Sequence, residues 1–292
     1  MTWRTILLSS DSKISLRLNH LVVQQADQVV TVPLREIGNI VVENPNIVMT
    51  GHILNALSEN KITTIFCDNR HMPQSQLNLI YGHHRQVKTI REQIKWVPLN
   101  KDVLWREIIK QKIYNQKHLL KKYYHPKELN KFDIYIEDVE LADETNREGH
   151  AAKVYFNMLF GLQFIRGDDD PINWALNYGY SLLLSLFTRI IITKGLLTEI
   201  GIHHRNQYNH YNLASDFMEV YRPLIDIIVK ENIKDEFSRR ERHKLLKIFE
   251  LKVKINNRNQ YLANSVEIYT DSLIRFMRTG KEKHISFPKF EF

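Results

Sequence analysis

Residues Leu104–Tyr124 read LWREIIKQKIYNQKHLLKKYY, and their periodicity decides the fold class. Leu104, Ile108, Ile109 and Ile113 recur at helical spacing, and Leu119 and Leu120 continue the stripe. The spacing predicts a helix whose exposed side carries Arg106, Lys110, Lys112, Lys117, Lys121 and Lys122, with Pro126 just beyond it. Upstream the pattern differs. TILLSS, KISLRL, HLVVQQ, QVVTVPL and NIVVEN are short, rich in Ile, Val, Leu and Thr, and separated by polar breaks such as Ser10-Asp11-Ser12. MTGHILNALSENK predicts one short helix and ITTIFCD a further strand. Downstream, helices are expected over 144–164, 173–196, 212–230, 235–256 and 260–279. The expected fold is α+β: a small N-terminal β-rich domain over 1–75, a polar connector over 76–95, and a larger all-α domain over 96–292.

The chain has 292 residues, 43% of them hydrophobic and 25% charged, which places it among ordinary globular proteins. Its 41 Lys and Arg against 33 Asp and Glu give a charge of +8. That excess favours a polyanionic partner through counterion release, or serves as a solubility margin. Cys67 is the single cysteine, so no internal disulfide forms and nothing calls for an oxidising compartment. The N-terminus MTWRTILLSSDSK lacks the apolar segment of a signal peptide. The longest apolar run, LLLSLFTRIIITKGLL, is broken by Arg189 and Lys194 and falls short of a membrane span. A cytoplasmic protein with no membrane partner is expected.

Two segments concentrate candidate chemistry. The first is Gly201–Pro223, GIHHRNQYNHYNLASDFMEVYRP. Asn212 is a good helix N-cap, and Leu213, Phe217, Val220, Leu224 and Ile228 follow at helical spacing. Asp216 and Glu219 lie three apart at the polar border of that helix, and His203 and His204 arrive just before it. Histidine beside carboxylates suits a divalent cation, while a solvated loop and an acid near a helix N-terminus account for the same residues.

The second segment is LADETNREGHAAKVYFNMLF. Ala151, Ala152, Tyr155 and Leu159 make an inward face, and Glu148 stands one turn before Ala152 on that side. A carboxylate turned toward an apolar stripe needs a partner, either a metal or an arginine such as Arg189. His150 belongs on the outer face.

Taken in order and spacing, WREIIKQKIYNQ, ETNREGHAAKVYF, INWALNYGYSLLLS and GLLTEIGIHHRNQYNHYNLASDFMEVYRPLID resemble the CRISPR adaptation integrase family, the first-numbered and near-universal CRISPR-associated protein, in its type II form. The resemblance implies an N-terminal β domain, a C-terminal α domain and a homodimer. It implies Mg2+ or Mn2+ held by Glu148, His204 and Glu219, with Asp216 supporting a ligand or serving as a base. Many relatives carry Asp where this chain has Glu219, one methylene longer. The implied reaction is transfer of a DNA 3′-hydroxyl onto a phosphodiester of the CRISPR repeat. Implied partners are double-stranded DNA and a dimer of a small ferredoxin-like CRISPR-associated protein. The type II form adds the effector nuclease and a ring-forming accessory protein that binds DNA ends.

DNA contacts are expected from Arg85, Lys88 and Arg91 in the connector, and from SRRERHKLLK, with Arg239, Arg240, Arg242 and Lys244. In the second group Glu236 and Glu241 can pair with the arginines along the helix instead. Tyr81, His83 and His84 are suited to stacking on unpaired bases. Two other activities fit the residues. One is a metal-dependent endonuclease of branched DNA, the other a DNA-binding scaffold without catalysis.

Overall fold

Short β-branched segments pair into two four-stranded sheets in the first quarter of the chain. The computed structural model describes residues 4–292; Met1–Trp3, the start of the expected β region, lie outside the described residues. Strands Arg4–Leu8 (β1), Lys13–Arg17 (β2), His20–Gln24 (β3), Val29–Pro33 (β4), Ile37–Val42 (β5) and Val48–Met49 (β6) come first. Helix Gly51–Glu59 (α1) and strands Thr63–Cys67 (β7) and Pro73–Leu77 (β8) follow. One sheet has the order β1-β5-β7-β8, parallel except for its last pair, and the other the order β4-β3-β2-β6. Leu18 and Asn19, at φ +48° and +59°, close the β2–β3 hairpin, as a two-residue turn with both central residues left-handed requires.

Strand period places side chains on opposite faces of β5. Ile40 and Val42 join Ile14, Leu21, Ile53 and Leu57 in the core between the sheets and α1. Val41, with Ile65 of β7, joins the larger core under the helices. The β1-β5-β7-β8 sheet is therefore the wall between two cores.

The helical region comprises Gln86–Ile94 (α2), Pro98–Leu120 (α3), Asn130–Glu137 (α4), Arg147–Phe160 (α5), Pro171–Thr193 (α6), Asn212–Met218 (α7), Arg222–Asn232 (α8), Arg239–Leu246 (α9) and Leu262–Thr279 (α10). Helix α2 occupies part of the expected connector, and the helix expected over 212–230 is interrupted by a 3-10 turn at Glu219–Tyr221. Pro223 sits in the first turn of α8, where its missing N–H costs nothing. The helix expected over 235–256 is cut short. After α9 and a 3-10 turn the chain forms a hairpin, Lys252–Ile255 (β9) with Arg258–Tyr261 (β10). Asn256 and Asn257 take φ +49° and +59°, and the alternation of KVKI and the Asn-Asn turn favour this.

Helix α3 differs most from expectation. It packs against α4, α5, α8 and α10, so its buried residues are not confined to one stripe: Lys112, Asn115 and Gln116 are buried with the leucines and isoleucines. Lys112, expected on the exposed side, points into the protein. Helix α6, at 23 residues, is long and apolar enough to cross a bilayer by length and composition, contrary to the reading of the interrupted run, but 67% of its most apolar window is buried within the protein. The C-terminal KHISFPKFEF docks onto the helices. Lys289 pairs with Lys254 of β9, and Phe290 is buried against Tyr221.

Candidate active site

Helix α3 supplies the floor of the site, and three other segments bring acids and a histidine onto it. The chain enters α5 through Ala142, Asp143 and Asn146, all with positive φ, a conformation that side-chain hydrogen bonds hold. Asp143 accepts from the backbone N–H groups of Arg147 (2.8 Å) and Glu148 (3.0 Å), and Asn146 Oδ1 caps Gly149 N–H at 3.2 Å. A Cβ at Gly149 would meet Asn146 Oδ1 at 2.7 Å, so a side chain there would push the Asn146 cap aside. The result fixes Glu148 in the first turn of α5, with its side chain 29% exposed.

The Gly201–His204 loop is built around Asp216. This carboxylate is fully buried and accepts from the backbone N–H groups of Ile202 (2.7 Å), His203 (3.1 Å) and His204 (3.0 Å). His204 Nδ1 donates to the same group at 2.5 Å, which leaves Nε2 as the outward nitrogen. Gly201 is required here because a Cβ would lie 2.6 Å from Asp216 Oδ2 and 2.6 Å from the His204 carbonyl. The Asp216 hydrogen bond raises the His204 imidazole against the effect of burial, with the charges of Asp216, Glu219 and Glu148 adding to it. His203 stacks flat on buried Trp105 at 4.2 Å, and His204 stands edge-on to the same ring at 5.6 Å. His210 is exposed.

Glu219 lies in the turn between α7 and α8, held to α3 by Asn115 Nδ2, which donates to the Val220 carbonyl at 3.0 Å. Its side chain is 3% exposed. Lys112 Nζ lies 2.5 Å from Glu219 Oε2 and 2.5 Å from Glu148 Oε1. Glu219 Oε1 meets Arg222 Nη2 at 2.8 Å. Burial would raise the Glu148 carboxyl, but the Lys112 ammonium, with Arg222 and His204, holds it below the usual range. Burial would likewise lower Lys112, yet Glu148 and Glu219 keep it raised and charged. The partner of Glu148 is thus Lys112. Arg189 instead donates to Thr63 Oγ1 at 2.7 Å.

The structure brings Glu148 and Glu219 onto one cation and sets His204, hung on Asp216, within electrostatic reach of both. Among the described residues no group of three or more His, Cys, Asp or Glu side chains is assembled as a metal cage. Two carboxylates already gathered around one ammonium, with an imidazole nearby, nevertheless form a donor set that suits a hard divalent cation. Sequence reasoning missed Lys112, Arg222 and Asp143. Only Arg222 left a signal, its helical spacing of three from Glu219.

Behind Arg222 lies a buried network. Its guanidinium sits 4.7 Å from the centre of the Tyr180 ring, and the Tyr180 and Tyr155 hydroxyls donate to the two oxygens of Asp226 at 2.5 and 2.8 Å. Burial pushes the Asp226 carboxyl up to about 6, against both tyrosine hydrogen bonds and the charges of Arg222 and Lys112. A raised value in the folded state means that the fold binds this proton more tightly than the unfolded chain does. The contribution is fully present below the ordinary value of 3.8 and is lost as pH rises through about 6. Urea unfolding at about pH 4 and about pH 7 is expected to show wild type losing on the order of 2 kcal/mol that Asp226→Asn retains. Equal pH dependence in the two proteins would contradict this.

The expected DNA contacts divide. Arg85 and Lys88 are exposed and line a cleft of about 490 Å³ with His83, Lys194 and Arg278, but also with Glu92, which pairs with Lys88 and Arg278, and Asp271, which pairs with Lys194. Arg91 is exposed on α2. In the second group Arg240 is exposed, Arg239 donates to Ser9 Oγ at 2.6 Å, and Lys244 pairs with Glu241 at 3.7 Å. Arg242 is buried in an ion pair with Glu43, which joins α9 to the end of β5.

Comparison with known proteins bears on the whole arrangement. The family described as CRISPR associated protein Cas1 matches residues 5–255. The CRISPR-associated endonuclease Cas1 of Neisseria meningitidis serogroup C is 36% identical over 229 residues, covering 78% of this chain and 75% of that protein. A CRISPR-associated endonuclease Cas1 of Saccharolobus solfataricus is 28% identical over 306 residues and 96% of both chains. Among solved structures, a casposase bound to integration product shares 18% identity at TM-score 0.76, over 96% of this chain and 92% of that one. A chain of a Cas6-RT-Cas1–Cas2 complex aligns at TM-score 0.73 and 19% identity, over 97% of this chain and 36% of that one. With the family match spanning most of its length, the chain belongs to the Cas1 family of CRISPR-associated endonucleases and integrases.

Proposed function

We propose that Glu148, His204 and Glu219 hold a Mg2+ or Mn2+ ion and that the chain joins DNA 3′-hydroxyl ends to a CRISPR repeat at this site. The observation that carries the reading is the convergence of Glu148 and Glu219, 71 residues apart, on one cation beside a histidine locked by Asp216. A bound divalent ion would neutralise phosphate charge and lower the pKa of the attacking hydroxyl. The chain's own residues do the rest. Asp216 fixes the imidazole through Nδ1 and leaves Nε2 as the nitrogen for a ligand, and it acts as a positioning group because both its oxygens are engaged. Arg222 neutralises one oxygen of Glu219 and keeps that carboxylate in place. In the joining step the 3′-hydroxyl gives up its proton as its oxygen bonds to phosphorus, the bond from phosphorus to the repeat's own 3′-oxygen breaks, and that leaving oxygen takes up a proton, so no net proton is consumed. No covalent protein intermediate is needed, and half-buried Cys67, its thiol pushed up to about 12 chiefly by desolvation, has no part in it.

The DNA is held along the cleft of Arg85 and Lys88, with Arg91 beyond it on α2 and exposed Arg240 on α9. Solved neighbours named as a casposase with integration product and a complex containing Cas2 support DNA and a Cas2-like partner; the ferredoxin-like form of that partner, a homodimer, and the type II effector nuclease and ring-forming accessory protein belong to the same reading. So do a cytoplasmic location and a division at 1–75, 76–95 and 96–292. The relatives' name, endonuclease, favours one further activity, in which water replaces the 3′-hydroxyl. Incubating the protein and its small partner with Mn2+, short duplexes and a repeat-containing target separates them. Joined products support integration, cleavage without joining supports the nuclease, and DNA binding without metal-dependent products supports a scaffold.

A further inference from the structure

Both carboxylate oxygens of Glu219 already carry a positive side chain, Arg222 at 2.8 Å and Lys112 at 2.5 Å. Lys112 spans to Glu148 as well, and with 8% of its side chain exposed it is scarcely screened by water. The two cations are not equivalent. Arg222 lies over the Tyr180 ring at 4.7 Å, and Tyr180 is tied to Asp226, so the guanidinium is pinned from behind. Lys112 stands between the two acids on a flexible four-carbon stem, with Glu148 on the open side of the pair. An ammonium and a divalent ion cannot share these facing oxygens. At roughly 4 Å, like charges in a poorly hydrated site repel by several kcal/mol.

We propose that Lys112 is a built-in competitor of the metal: it clamps Glu148 and Glu219 together and must swing away before a divalent cation can take the same oxygens. The proposal rests on the reading of Glu148, His204 and Glu219 as ligands. It makes Lys112 an autoinhibitory contact that sets the threshold of metal concentration at which the site loads. It also gives the acids a partner whenever the ion is away, so that buried Glu219 and half-buried Glu148 never face each other uncompensated.

Mn2+ binding to the chelator-stripped full chain, followed by loss of the free-ion paramagnetic resonance signal, tests this. Lys112→Met keeps the stem without the charge and is expected to bind Mn2+ at least about tenfold tighter than wild type, because the competing charge is gone. Mn2+ should also raise its Tm more than it raises that of wild type. Lys112→Arg keeps the charge and should bind no tighter than wild type. If Lys112→Met does not fold, Lys112→Gln carries the same expectation. Binding equal to or weaker than wild type in the neutral variant overturns the competition. Glu219→Gln separates the two levels: wild-type Mn2+ affinity in that variant overturns the ligand reading itself, whereas its loss, with unchanged affinity in Lys112→Met, overturns the competition alone.

Discussion

Glu219→Gln is expected to lower metal-dependent strand transfer on the order of 10³-fold, equivalent to about 4 kcal/mol of barrier. The substitution keeps the shape of a buried side chain and removes only its charge, so the effect falls on the reacting centre more than on packing. Lys112 retains Glu148 as a partner, and Arg222 keeps its place over Tyr180. The measurement is single-turnover joining of a labelled duplex to a repeat-containing target across a Mn2+ titration. A rate within tenfold of wild type at saturating metal would remove Glu219 from the site. The alanine variant is a poorer test, because it leaves Lys112 and Arg222 without a shared anion and unfolding would obscure the chemistry.

Asp216→Ala should give the largest loss of stability, about 4 kcal/mol and roughly 10 °C in Tm. Three backbone N–H groups converge on this carboxylate where Asp216 itself is wholly buried, and each would lose its acceptor. A buried donor left unpaired costs about 1–3 kcal/mol, and partial relaxation of the loop keeps the sum below three times that. The imidazole of His204 would lose its anchor in the same step. Calorimetry and urea unfolding check the effect, and a Tm within about 2 °C of wild type would contradict the assigned role. Asp216→Asn retains one acceptor oxygen and should fall between the two.

The two halves of the site were not equally legible. His204, Asp216 and Glu219 sit in one window of sequence, and the histidine run beside acids at helical spacing marks it without any knowledge of neighbours. Lys112 left no such mark. A helical wheel of α3 gives an apolar stripe with lysines opposite, the pattern of a surface helix, yet α3 is enclosed by four others. Periodicity reports how one face differs from another; it cannot tell which polar residue beside the apolar stripe is covered by a distant segment, and Lys112 is buried while Tyr114 two residues on is exposed. The partners of Lys112 lie 36 and 107 residues away, beyond any local window. The β9–β10 hairpin was readable in principle, because Asn256-Asn257 after the alternating KVKI is a turn signal. It was hidden by the leucines of α9 and by Phe249, whose spacing carries a helical reading past its true end.

Strand β5 bears on how this protein can be taken apart. Val41 is packed into one core and Ile40 and Val42 into the other, so a single hexapeptide belongs to two bodies at once. A chimaera that exchanges the first sheets with those of a relative must therefore match both faces of that strand, along with the Glu43–Arg242 pair at its end. Cutting the chain after β8 would uncover Val41 and Ile65 as an apolar stripe with no cover. The N-terminal sheets are a graft with roots in the helical body, and they would travel as an independent cassette only after that inner face had been redesigned.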